Sequence, residues 1–149
     1  MRSLGFDFQK GNIRFCLLEG SKSSPKLVLK ERVIINPTPC IPEYMDRFDS
    51  IFRQIIKAHS PSKIGYRLSL GPNKEQIHNL IFPAALLNNI SYQEGISCIE
   101  YVKQNFTSTK FGLPKGLNMF DYCDDHFGCH PPYWDDNQKN ALLSAWLCL

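Results

Sequence analysis

Within the first thirty-five residues, two stretches, 3–9 and 26–35, alternate apolar and polar positions with a period of two. Residues 3–9 (SLGFDFQ) read as a strand, and the pair Lys10-Gly11 turns the chain. Residues 12–19 (NIRFCLLE) form a second strand, mostly apolar at its far end. Residues 20–25 (GSKSSP) are a polar loop with two breakers, and residues 26–35 (KLVLKERVII) alternate again as a third strand. Three strands joined by short turns predict an antiparallel meander.

The period then changes to that of a helix. Ile41, Met45, Phe48, Ile51, Phe52, Ile55 and Ile56 recur at steps of three and four, which predicts an amphipathic helix over residues 42–59. Pro42 fits its first turn, where no N–H is needed, and Pro61 closes it. Residues 63–70 (KIGYRLSL) read as a fourth strand, ended by Gly71-Pro72. Asn73 caps the next helix with Gln76 at the capping-box position. Ile77, Leu80, Ile81 and Ala84 form its apolar face, and Pro83 must kink it or split it in two. Residues 96–102 form a fifth strand, 105–116 a hydroxyl-rich loop, 117–128 a short helix, and 130–134 (HPPYW) an extended link. Asp135 or Asp136 caps a last helix that carries Ala141, Leu142, Ala145, Trp146 and Leu149 on one face. The order β-β-β-α-β-α-β-α-α predicts an α/β fold: one mixed sheet, a three-stranded antiparallel meander plus parallel strands, with helices on its faces.

Composition narrows the class. At 149 residues the chain has the size of one domain, and 43% hydrophobic residues suffice for a core. The net charge of +3 permits a nucleic-acid partner without arguing for one. There is no apolar run of membrane-spanning length and no signal-peptide pattern at the N-terminus, so a cytoplasmic protein without membrane association is expected. Six cysteines without an export signal are read as reduced thiols, four of them lying in apolar or periodic segments.

Three stretches carry a resemblance to a known family. GFDFQKGNIRFCLL is similar to the Gly-x-Asp opening hairpin of the Holliday-junction-resolvase branch of the ribonuclease-H-like superfamily. TSTKFGLPKG lies where resolvases carry a basic, Gly-containing loop, and DDNQKNALLSAW resembles their closing helix. The opening and the fourth-strand region also resemble a family of small uncharacterised bacterial proteins of that fold. The resemblance implies a single ribonuclease-H-like domain over residues 1–149 and, in its active members, two Mg²⁺ ions about 4 Å apart held by carboxylates. Those carboxylates come from the first strand, the end of the fourth strand and the start of the last helix.

Asp7 matches the first of these positions. It lies between Phe6 and Phe8, so if they face the core it points to the other face; the alternative is an Asp on a half-exposed strand. At the second position the fourth strand carries Arg67 and Ser69, and a guanidinium there would repel a metal but suit a phosphate oxygen. Glu75 is the nearest acid, and pairing with a helix N-terminus is its simpler role. At the third position Asp135 and Asp136 match in place but not in register, since the resolvase slots hold Asn137 and Asn140. The candidate catalytic set is therefore Asp7, Glu75, Asp135 and Asp136, with Asp7 and Asp136 the candidate Mg²⁺ ligands.

Arg67, Thr109, Lys110 and Lys115 are the candidate nucleic-acid contacts, with Tyr133 and Trp134 placed to stack on a base. Solvated strand faces and a hydrophobic staple are the plainer readings of such residues. Cys123, His126, Cys129 and His130 form a Cys/His cluster, but its spacing is not that of a zinc finger and adjacent Cys129 and His130 are poorly placed to share an ion, so zinc is not expected. Three readings stay open: a nucleic-acid-directed protein (DNA or RNA) with an incomplete metal site and a binding or regulatory role; an active Mg²⁺-dependent nuclease; and a protein-protein interaction module, running as a homodimer or with a partner protein.

Overall fold

A computed structural model describes residues 1–69, 71 and 73–149. Its elements are β1 (Arg2–Gln9), β2 (Asn12–Ser21), β3 (Ser24–Ile34), α1 (Ile41–His59) and β4 (Lys63–Arg67). They continue with α2 (Lys74–Gln76), a π turn (Ile77–Ile81), α3 (Phe82–Gln93), β5 (Ser97–Tyr101), α4 (Met119–Phe127) and α5 (Asp136–Cys148). The strands form one five-stranded sheet in the order β3-β2-β1-β4-β5. β1, β2 and β3 pair antiparallel, while β4 runs parallel to both β1 and β5. This is the mixed α/β sheet that the sequence predicts.

Alternation along the strands sorts side chains onto two faces. Leu4, Phe6, Phe8, Ile13, Phe15, Leu17, Ile64 and Tyr66 pack beneath α1 and α3. The ring of Phe6 lies edge-on to Phe52 of α1, with centroids 5.7 Å apart. On the opposite face Cys16 and Leu18 meet Ala141, Leu142, Ala145 and Trp146 of α5, with α4 behind them. α5 is therefore buried on nearly all sides: Gln138, Lys139, Asn140 and Ser144 are buried along with its apolar residues.

The local departures from the sequence reading have physical causes. Residues 20–25 are not a loop, because β2 runs to Ser21 and β3 restarts at Ser24, which leaves Lys22 and Ser23 as a two-residue turn. Gly20, at φ 111, and buried Pro25 stay within the ladder as paired residues. β4 ends at Arg67, three residues earlier than expected; Leu68 still donates its N–H to the Tyr101 carbonyl, while Leu70 and Pro72 lie outside the described residues. Pro83, which has no N–H, sits in the first turn of α3, and the π turn before it absorbs the mismatch, with Phe82 N–H bonding to the Ile77 carbonyl. Residues 105–116 include a 3₁₀ turn at Ser108–Phe111 whose Phe111 is buried against Trp146. Residues 130–134 are not extended: the Pro131–Pro132 peptide is cis and Tyr133 has φ 62.

Candidate functional site

Register brings the candidate chemistry into one row. Asp7 pairs with Arg14 on β2 and with Arg67 on β4, Arg14 pairs with Arg32 on β3, and Arg67 pairs with Tyr101 on β5. Directly paired residues project to the same face. The face under α5 thus carries Arg32, Arg14, Asp7, Arg67 and Tyr101 in one row across five strands.

Asp7 is 1% exposed, which rules out the alternative of a half-exposed strand position. Gln9 Nε2 donates both to Asp7 Oδ2 at 2.9 Å and to Asn137 Oδ1 at 3.0 Å, and so bridges the strand to the start of α5. Arg67 Nη1 stands 3.7 Å from Asp7 Oδ1. Burial raises the Asp7 carboxyl to about 7, opposed by hydrogen bonding from Gln9, the charge of Arg67 and hydrogen bonding from Asn140, while the charge of Asp135 adds to the rise. Burial thus shifts this carboxyl toward its protonated form.

The other acids are placed differently. Asp135 is the N-cap of α5: its Oδ1 accepts from Gln138 N–H at 3.0 Å, and its Oδ2 accepts from Arg14 Nη2 at 2.9 Å. Asp136 is exposed in the first turn of the helix. Glu75 lies in the first turn of α2 and pairs with Lys10 across a cleft. Among the described residues, no group of three His, Cys, Asp or Glu side chains converges as a metal site would require. A pair of Mg²⁺ ions needs several ionised oxygens, whereas Asp7 is met by Arg67, Gln9 and Asn140. This donor set does not fit a two-metal centre.

What the row does border is a polar cleft of about 390 Å³ at the C-terminal ends of β1 and β4, the end of parallel strands at which α/β sheets bind ligands. Gln9, Arg67, Ser69, Asn79 and Asn137 line it, with the Lys10–Glu75 pair at its rim. The Nε of Arg67 is buried without a hydrogen-bond partner among the described residues. Sequence reasoning singled out Arg67 but missed Gln9 and Asn79. Gln9 stands two residues after Asp7, on the same strand face, and that spacing was a signal available in the sequence.

The remaining candidates lie elsewhere. Thr109, Lys110 and Lys115 are exposed on the segment after β5, where residues 106–109 and 115–118 frame a separate hollow of about 520 Å³. Trp134 Nε1 donates to Asp124 Oδ1 at 2.6 Å, and Lys139 donates to the other oxygen of that carboxylate, which holds Asp124 below the usual carboxylate range. In the Cys/His cluster Cys123 is buried, His126 stacks on Trp146, and a His130 ring nitrogen meets the Phe127 carbonyl. No helix among the described residues is long and apolar enough to cross a membrane.

No protein-family model and no curated protein matches this chain. Solved structures do. RuvC from Thermus thermophilus superposes with a TM-score of 0.75 at 13% identity, covering 99% of this chain and 92% of RuvC. The same enzyme in complex with Holliday junction substrate gives 0.78 at 11% identity with the same coverage. The yeast mitochondrial Holliday junction resolvase Ydc2 gives 0.63 at 12% identity, covering 98% of this chain and 76% of that one. The chain has the ribonuclease-H-like fold in the arrangement of the Holliday junction resolvases.

Proposed function

We propose that this chain binds nucleic acid on a resolvase-type scaffold without cutting it, acting as a binding or regulatory component. The observation that carries the reading is the register pairing of Asp7 with Arg67. At the place where a nuclease of this fold would gather carboxylates around metal, a guanidinium faces the one carboxyl buried among the described residues. Arginine cannot ligate Mg²⁺, but its fork of donors suits a phosphodiester oxygen. The amides of Gln9 and Asn137 add neutral hydrogen-bonding groups to the same cleft. The resolvase structure in complex with junction DNA supports the choice of partner class. Thr109, Lys110 and Lys115 supply further phosphate contacts in this reading.

The test is binding of a four-way DNA junction, single-stranded DNA and RNA by fluorescence anisotropy, at about 50 and 200 mM salt, with and without Mg²⁺, beside a cleavage assay. Affinity is expected to fall steeply with salt, to be indifferent to Mg²⁺, and to weaken in Arg67→Gln, with no cleavage products. Products that require Mg²⁺ and vanish in Asp7→Asn would establish a nuclease instead. Absence of binding to all three substrates would leave a protein-interaction module.

A further inference from the structure

A second pair of cations, Arg14 buried and Arg32 half-buried, lies on the β2–β3 side of the same face. Arg14 and Arg32 stand in register there, and the ring of Tyr133 covers both, with its centroid 5.2 Å from Arg14 Cζ and 4.6 Å from Arg32 Cζ. Arg14 is 5% exposed and has one ion-pair partner, Asp135. Its Nε and Nη1, and the Nε of Arg32, are buried with no hydrogen-bond partner among the described residues. Two neighbouring guanidinium groups repel each other, and donors left unmade in the interior are costly. Aromatic faces attract the cations but satisfy none of these N–H groups.

The cover is itself held at a cost. Tyr133 has φ 62, the left-handed region that a bulky side chain rarely adopts, and its residue remains 53% exposed. Lys30 donates to the Pro132 carbonyl and anchors the strap that carries the ring. Beneath the strap lies a hollow of about 290 Å³ lined by Lys30, Glu31, Arg32, Tyr133 and Gln138, among others. Lys30, Arg14 and Arg32 outnumber Glu31 and Asp135, so the charge there is net positive.

We propose that Arg14 and Arg32 form a phosphate-binding station closed by Tyr133, and that an incoming phosphate group displaces the ring to take up the unpartnered guanidinium donors. Orthogonal partners of this chemistry are a phosphate at the end of a nucleic-acid strand and the phosphate of a free nucleotide. The station rests on its own geometry and stands or falls separately from the nucleic-acid reading of the cleft beside Asp7.

The experiment is calorimetric titration of the full chain with inorganic phosphate at constant ionic strength, on wild type, Tyr133→Gly, and Tyr133→Gly combined with Arg32→Gln. Glycine removes the competing ring and relieves the positive φ. Tyr133→Gly is expected to bind phosphate about tenfold more tightly than wild type. Adding Arg32→Gln, a change on a half-buried edge strand with thermal unfolding as the check on folding, is expected to cancel that gain. Failure of Tyr133→Gly to bind phosphate, or binding that ignores Arg32→Gln, would overturn the proposal. In parallel arms, preference for a 5′-phosphorylated oligonucleotide over its unphosphorylated twin supports the station with a strand end as its source. Binding of a nucleoside 5′-monophosphate without that preference supports it with a free nucleotide as its source.

Discussion

Gly5 on β1 and Gly65 on β4 face each other in register, and α5 lies directly across both backbones. A Cβ at Gly5 would stand 1.9 Å from the Ala141 carbonyl oxygen and 2.4 Å from Ala145 N. A Cβ at Gly65 would stand 2.6 Å from the Ser144 carbonyl oxygen. Ser3 Oγ donates to the Ala145 carbonyl at 2.7 Å along the same line. This close seat lowers the start of α5 onto the sheet and holds Asn137 and Asn140 near Asp7. Gly5→Ala must push the helix outward against backbone atoms that cannot yield, and should cost about 3 kcal/mol in urea unfolding. Wild-type stability in Gly5→Ala would show that the helix rides higher than described.

The buried carboxyl of Asp7 gives stability a defined pH dependence. Its folded pKa is raised from 3.8 to about 7 by burial, so the folded state holds a proton that the unfolded chain has released. Stability from this group is therefore full below about pH 4, falls as pH rises, and levels off above about pH 7. Asp7→Asn keeps the shape and removes the titration. The variant should be more stable than wild type at pH 8, by an upper bound on the order of 4 kcal/mol, and the difference should shrink toward pH 4. Chemical denaturation at pH 4.5, 6 and 8 reads this directly; parallel curves for the two proteins would show that Asp7 does not titrate in this range.

The architecture was legible because its signals are local. Period-two alternation through Phe6 and Phe8, the three-four spacing from Ile41 to Ile56, and the Asn73–Gln76 capping box each mark one element, and each is present. The candidate site was less so. That Asp7, Arg14, Arg32 and Arg67 share a row depends on pairings between residues up to sixty apart, which no window of sequence reveals. The tight turn at Lys22 and Ser23 was hidden because Gly20 and Pro25, breakers by type, sit inside the strands. Tyr133 looked like a free stacking residue beside Trp134, but the chain folds its ring back over Arg14 and Arg32.

The loop lysines offer a graded test of nucleic-acid binding. Lys110 and Lys115 are exposed, and neither has an ion-pair partner among the described residues. If each neutralises one phosphate, Lys115→Gln should lower affinity equally for different sequences and reduce the slope of log affinity against log salt by about 1. The doubly substituted Lys110→Gln, Lys115→Gln chain should lose about 2. An unchanged slope would show that neither lysine contacts a phosphate of the bound strand.

The departure from a metal centre can be tested by reversing it. Arg67 and Asn140 both act on Asp7, one from the neighbouring parallel strand and one from α5, so Arg67→Glu with Asn140→Asp would bring three carboxyls from three elements to one point. Such a set suits a hard divalent cation, whereas the present one does not. Calorimetry should show no Mn²⁺ or Mg²⁺ binding to wild type and measurable binding to the double variant, with Asp7→Asn abolishing it again. The double variant should also be less stable than wild type without metal, because three carboxyls crowd a site that now holds a cation, and metal should restore part of that loss by binding only the folded state. Metal binding by wild type at this position would mean that Arg67 swings clear of Asp7, and the reading of the chain as a binder that does not cut would have to be abandoned.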